Sequence, residues 1–236
     1  FTISEAHQSQ FKSVVDTIKS TIENQSGTVI NINYSYQNKS TDTLAVDVKN
    51  NPFRDEEGDL VFRPGGHGSL IENLNNLDAD IIFIKNIDNV IQNNIQKIAL
   101  YKKALAGVLL EVQQQIFDYL HAIEANGIQA ESIGEIVLFL KKKLNIEMSN
   151  DFNTATLEDK IDQIKTVLNR PIRVCGMVKN EGEPGGGPFW VRNVKGSLSL
   201  QIVETSQVDF TVKDQMKIIS NATHFNPVDL VCGIRD

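Results

Sequence analysis

The most constraining feature of this sequence is an apolar stripe in its middle. Ile91, Ile95, Ile98, Tyr101, Leu105, Leu109, Val112, Ile116, Leu120 and Ile123 recur at helical spacing, a pattern that a 3.6-residue period sustains for about eight turns. Gly127 ends the stripe. A second helical pattern runs from Ile133 to Leu144 and a third from Leu157 to Leu168, before Pro171. Lys141-Lys142-Lys143 closes the second, where cations suit the negative end of the helix dipole. Residues 91–170 thus read as a helical insertion.

On either side the period changes. The chain opens with a helix N-capped by Ser4 and striped at Phe11, Val14, Val15, Ile18 and Ile22, which Gly27 breaks. From Thr28 to Tyr36 the pattern alternates, with Ile30, Ile32, Tyr34 and Tyr36 on one face and Asn31, Asn33 and Ser35 on the other, as in a half-buried strand. Short strands are expected at 44–46 and 60–62. A short helix is expected over 69–74, followed by Ile81-Ile82-Phe83-Ile84, an unbroken apolar run that reads as a parallel strand covered on both faces. Strands are expected again at 172–178, 198–203 and 216–219, with a last one running into a loop from Val231 to Asp236.

Two segments carry residues suited to chemistry. In Arg63-Pro64-Gly65-Gly66-His67-Gly68, three glycines allow positive φ and let the backbone approach a flat ligand, while the following helix offers free N–H groups. A plain tight turn entering a helix has the same signature. Lys85-Asn86-Ile87-Asp88-Asn89 follows the apolar strand, at the carboxyl edge where ligands of open α/β sheets collect. A carboxylate there can hold Mg²⁺ against phosphate oxygens, and it can equally cap the long helix. Gly185-Gly186-Gly187 lacks the Lys-[Ser/Thr] of a phosphate cradle and reads as a flexible lid or sugar loop. Phe189 and Trp190 are assigned to core packing, and Cys175 to a buried, inert thiol.

Composition narrows the classes. The 236 residues are 41% hydrophobic and 22% charged with a net charge of −7, which suits a folded globular chain and disfavours nucleic acid as partner. No apolar run approaches the ~20 residues of a membrane span, and nothing reads as a signal peptide. With two cysteines there is no disulfide framework or zinc spacing, so a reducing, cytoplasmic location is expected. Phe1 and the open-ended last strand read as an excised segment.

Phe62-Arg63-Pro64-Gly65-Gly66-His67-Gly68, followed by Ile81-Ile82-Phe83-Ile84-Lys85-Asn86-Ile87-Asp88-Asn89, resembles the heart of the UDP-sugar pyrophosphorylases. Those enzymes carry a Pro-x-Gly-[His/Asn]-Gly loop and then a strand ending in [Val/Ile]-Asp-Asn. Thr2-Ile3-Ser4-x-x-His7 resembles the Thr-Ser-x-x-[His/Thr] stretch before a helix in the same enzymes. The whole chain also resembles an uncharacterised bacterial family, a domain of unknown function similar to them. The likeness runs over most of 1–90 and over 172–236, and the helical block has no counterpart.

The resemblance implies a three-layer α/β/α fold of the nucleotide-diphospho-sugar transferase (GT-A) type, with a mixed, mostly parallel sheet. Residues 1–90 would be the central part of the nucleotide-sugar domain, 91–170 an insertion and 171–236 the sugar side. It implies that Pro64, Gly65, Gly66, His67 and Gly68 clamp the base with Gln37. Lys85 and Asp88 would do the catalytic work, Asp88 holding Mg²⁺, and Asn89, Glu204, His224 and Asn226 would face sugar or phosphate. Glu204 stands in Val203-Glu204-Thr205-Ser206-Gln207, a departure from the Glu-Tyr-Ser-Glu of the enzymes. The implied activity of the parent protein is joining a sugar 1-phosphate to UTP with release of pyrophosphate. The Gly-Gly-x-Gly-Thr-Arg loop that this reaction needs is not among these residues, so the segment alone is expected to be inactive. A non-catalytic nucleotide-sugar binder is the rival expectation, and self-association through the helical block a third.

Overall fold

A computed structural model of the chain describes residues 1–85, 90, 93–125, 127–182 and 185–235, apart from the side chains of Ala6 and His67. The protein is mixed α/β and divides into two compact units, Phe1–Asp78 and Ala79–Asp236.

In the first unit, a 3-10 turn leads into helix α1 (Gln8–Ser26), which Gly27 stops at φ 64 with its N–H on the Glu23 carbonyl. Ser4 occupies the N-cap of the 3-10 turn without a side-chain cap bond. The expected strand at 28–36 keeps its alternation: Ile30, Ile32, Tyr34 and Tyr36 are half-buried, while Asn31 and Asn33 are exposed. It forms no ladder, because the neighbour it meets is only residues 1–3, through a single parallel bridge between Thr2 and Ser35. Phe11 joins this segment to α1 by ring contacts with Phe1 and Tyr34 at 5.2 and 5.9 Å.

Residues 43–63 form a closed β-triangle. Strand β1 (Thr43–Leu44) pairs antiparallel with β2 (Phe62–Arg63), and a middle stretch reaches both through the bridges Val46–Pro52 and Arg54–Leu60. Its hub is a ring of backbone bonds. Ala45 N–H donates to Val61 O, Val61 N–H to Phe53 O, and Phe53 N–H to Ala45 O, at 2.8–3.1 Å. Two Asp side chains form the corners, Asp47 accepting the N–H groups of Lys49 and Asn51 and Asp55 those of Glu57 and Asp59. The Asn51 N–H, foremost among these bonds, holds the Asp47 carboxyl below its usual range. The expected helix near 69–74 appears as a 3-10 turn (His67–Leu70) running into α2 (Ile71–Asn75).

The second unit holds the long helix α3 (Ile95–Glu124), then α4 (Ala130–Lys143), α5 (Asn150–Thr154) and α6 (Leu157–Leu168). The apolar stripes pack together at Val112, Ile116, Ile136, Leu140, Ile164 and Leu168, with Phe152 of α5 filling in. Thr156 caps α6 by accepting the Asp159 N–H. Lys143 and Lys141 of α4 pair with Glu111 and Glu147, both at 2.9 Å.

Two small sheets complete it. One has the order β3-β8-β5, from β3 (Ile81–Lys85), β5 (Ile172–Gly176) and β8 (Asp229–Gly233). The other has the order β4-β7-β6, from β4 (Ile146–Glu147), β6 (Gly187–Arg192) and β7 (Leu198–Val203). Helix α3 lies on β5 and β8. Small residues let it close in, since a Cβ on Gly176 would stand 3.1 Å from Leu105 Cδ1 and one on Gly233 would stand 2.9 Å from Gln113 Nε2.

Four expectations are corrected. Every pairing between named strands is antiparallel, not mostly parallel, because β8 enters reversed between β3 and β5. Only Ile82 of β3 is buried and Phe83 is 55% exposed, so that run is not covered on both faces. The strand expected at 216–219 is helix α7 (Lys213–Ser220), whose apolar residues are too few to separate the two periods; Asp214 in its first turn and Lys217 in its last suit the dipole. Trp190 is also no core residue, at 53% exposure on β6. Among the described residues no helix is long and apolar enough to cross a membrane.

Two leucines of α4 give a matched test. Leu140 is fully buried and Leu138 is 50% exposed. Denaturant unfolding is expected to show Leu140→Ala losing about 2–5 kcal/mol and Leu138→Ala less than ~0.5 kcal/mol; equal losses would mean that the helical core is misassigned.

Candidate functional site

The first unit brings two of the expected site residues together. With the side-chain amide of Gln37 turned to satisfy both groups, its oxygen accepts the Gly65 N–H at 2.8 Å and its nitrogen donates to the Gly65 carbonyl at 3.2 Å. Gln37 thus grips the loop as a peptide would. A Cβ on Gly65 would collide with the Ser69 side chain and stand 2.9 Å from the Thr41 carbonyl. None of Gly65, Gly66 and Gly68 has positive φ, so the expected left-handed geometry is absent and close packing explains Gly65. Gly66 and Gly68 are exposed, with open space where a Cβ would go. Asn73 ties α2 to the same place by donating to Tyr36 O at 2.9 Å. Pro64 is exposed and His67 begins the 3-10 turn.

In the second unit the carboxyl ends of β3 and β5 flank the start of β8, since Lys85 and Gly176 both pair with Asp229. The segment before β8 continues along the extension of β5: Asn180 N–H donates to Thr223 O, Phe225 N–H to Val178 O, and Val228 N–H to Gly176 O. It also lies across the glycine triplet. A Cβ on Gly187 would stand 2.7 Å from His224 O. One on Gly186 would strike Val203 O and stand 2.8 Å from Asn226 Oδ1. One on Gly185, already at φ 154, would meet the Phe225 ring. The triplet is therefore a packed crossing and not a free lid, with Gly187 opening β6.

Glu204 and Asn226 meet here, the Asn226 amide donating to Glu204 Oε2 at 3.5 Å. Glu204 also forms a capping box with Gln207, and its N–H donates to Gln207 Oε1 at 2.8 Å. Asn226 Oδ1 and Thr205 Oγ1 are buried without a hydrogen-bond partner. His224 is exposed and shares a 2.9 Å hydrogen bond between Nδ1 and Thr223 Oγ1.

Lys85 donates to Val228 O at 3.0 Å and pairs with Asp229 Oδ2 at 3.1 Å, while Lys102 of α3 stands 3.6 Å from Asp229 Oδ1. Neither Asp229 nor Lys102 stood out in the sequence, for no motif marks them and only strand register and helix docking bring them to Lys85. Asp88 and Asn89 lie outside the described residues. Among the described residues no group of three or more His, Cys, Asp or Glu side chains is placed to hold a metal. Asp229 faces two ammonium groups, a setting that disfavours a cation. The Cys175 and Cys232 thiols are pushed up by burial, which fits inert cysteines.

Two glycines test the crossing. Gly186→Ala is expected to cost about 1–3 kcal/mol in denaturant unfolding through overpacking. Gly134→Ala, in α4 with open space around it, is expected to stabilise by about 0.4–1 kcal/mol. A neutral Gly186→Ala would show that the crossing is loose.

Searches among curated proteins and solved structures return no match. A family model described as a domain of unknown function (DUF4301) matches residues 1–236, and the chain belongs to that family.

Proposed function

We propose that the chain is the nucleotide-sugar-holding part of a nucleotidyltransferase, one that joins a sugar 1-phosphate to UTP and releases pyrophosphate. The observation that carries the reading is the Gln37–Gly65 pair. Two residues assigned to the base by the pyrophosphorylase-like motifs hold each other at hydrogen-bond distance, leaving Gly66 and Gly68 open for a flat ring. On this reading Gln37 shapes the clamp and the backbone of Gly66 and Gly68 presents hydrogen-bonding groups to uracil.

The finer fold assignment, a GT-A-type mixed sheet, has one supporting feature. β3 and β5 run parallel to each other with β8 reversed between them, and Lys85 ends β3 at the edge where such a sheet would take its ligand. Glu204, His224 and Asn226 would then serve the sugar from the β5 side, and Asp88 and Asn89 would follow Lys85. Mg²⁺ is the expected cofactor of this chemistry. The described residues do not by themselves furnish its site, and Asp88 is its expected ligand on this reading.

One observation favours a second reading, a binder without chemistry. Glu204, which the resemblance places at the sugar, is engaged in a capping box.

Titration calorimetry of the chain with uridine 5′-monophosphate is expected to show saturable binding. Gln37→Ala should weaken it about tenfold, since two hydrogen bonds of roughly 0.5–1.5 kcal/mol each hold the loop. Equal affinity for adenosine 5′-monophosphate, or none for either, would remove the uridine clamp. Pyrophosphate release from UTP and a panel of sugar 1-phosphates by the full-length protein then separates enzyme from binder. An Asp88→Ala variant with full activity would take Asp88 out of the reaction.

A further inference from the structure

We infer that Lys102, together with Lys85, forms a binding site for a phosphate-class anion at the carboxyl edge of β3, with Asp229 as the post that holds both ammonium groups in place. Three observations converge on it.

The first is charge. Two ammonium groups converge on a single carboxylate, leaving one positive charge uncompensated among these three side chains. They are only partly exposed, at 24% for Lys85, 36% for Lys102 and 16% for Asp229, so water screens the surplus less than on an open surface.

The second is hydrogen-bonding capacity. Lys85 spends two donors on Val228 O and Asp229 Oδ2. Lys102, at 3.6 Å, is beyond hydrogen-bond reach of Asp229 Oδ1, an oxygen that is buried without a hydrogen bond. Lys102 is thus held close to the cluster by charge while its three N–H donors make no hydrogen bond to the carboxylate.

The third is placement. Lys102 comes from α3 and Lys85 from β3, and Asp229 is the cross-strand partner of both Lys85 and Gly176. The cluster therefore stands where two strand ends open, and an oxyanion beside it takes charge-assisted bonds from two elements at once.

The identity of the anion's owner rests on the nucleotidyltransferase reading, in which it is a nucleotide or sugar phosphate; the anion site itself does not. The test uses the intact chain with inorganic pyrophosphate as one probe and uridine 5′-monophosphate as the other, in titration calorimetry at fixed ionic strength. Saturable pyrophosphate binding is expected, weakened about tenfold or more by Lys102→Gln and restored in large part by Lys102→Arg. The exposed neighbour Lys103 serves as the control of equal charge change, and Lys103→Gln should leave affinity within about twofold. The inference is overturned if pyrophosphate does not bind, if Lys102→Gln binds as the wild type does, or if Lys103→Gln weakens binding equally. Pyrophosphate binding that depends on Lys102 without any uridine nucleotide binding keeps the anion site and removes the nucleotide-sugar reading. Uridine nucleotide binding with Lys102-independent pyrophosphate affinity does the reverse.

Discussion

The second unit depends on strand β8 lying between β3 and β5. Those two run in the same direction and do not touch as partners, so β8 supplies the backbone donors and acceptors of both. The Lys85–Asp229 contact spans 144 positions of sequence, and the helices lie between. Loop closure of that size costs little more than a shorter one would, because the entropy grows only with the logarithm of length. What must be gained is burial, and α3 provides it by docking on the sheet at Gly176 and Gly233, where a side chain would hold it off. Val231, in the middle of β8, is fully buried as a result.

The same strand organises the candidate chemistry of this unit. Its approach segment, Thr223 to Val228, binds the extension of β5 on one side and lies on the glycine triplet on the other. Glu204, Asn226 and His224 are thereby gathered around one crossing, and the Lys85–Asp229–Lys102 cluster begins where the crossing ends. Among the described residues, three of the four buried polar side-chain atoms without a hydrogen bond, Asn226 Oδ1, Thr205 Oγ1 and Asp229 Oδ1, lie in these segments, and the fourth, Asn73 Oδ1, lies in the first unit. Unsatisfied groups of this kind are costly in a folded interior and tend to mark places built to meet something else.

The first unit is held in another way. Val15 is its one buried apolar residue among the described residues, so hydrophobic burial contributes little there. Order comes from directed bonds: the ring of backbone bonds at Ala45, Phe53 and Val61, the Asp47 and Asp55 corners, and the grip of Gln37 on Gly65. Bonds of this kind fix a loop's shape more than they add stability.

Local pattern was enough wherever a residue's role depended on its near neighbours. The helical stripes that became α1, α3, α4 and α6 were legible because a 3.6-residue period repeats many times, and β7 because Leu198, Leu200 and Ile202 alternate with Ser199 and Gln201. Gly27 as a stop and the lysines at the end of α4 follow from the local physics of helix ends. The motif residues Gln37 and Gly65 were picked out as well, though not that they bind each other. Strand direction was not legible, since a run such as Ile81–Ile84 is apolar whichever way its partner runs, and α7 carried too few apolar residues to show a period. Nor was the sharing of Asp229 by Lys85 and Lys102, or the need for glycine at three successive positions under Phe225 and Asn226. By itself the sequence determined which segments are helical and where they stop, because those are nearest-neighbour effects. Only the tertiary structure decided which way β8 runs and which charges meet at its start, because both depend on segments far apart in the chain being packed against one another.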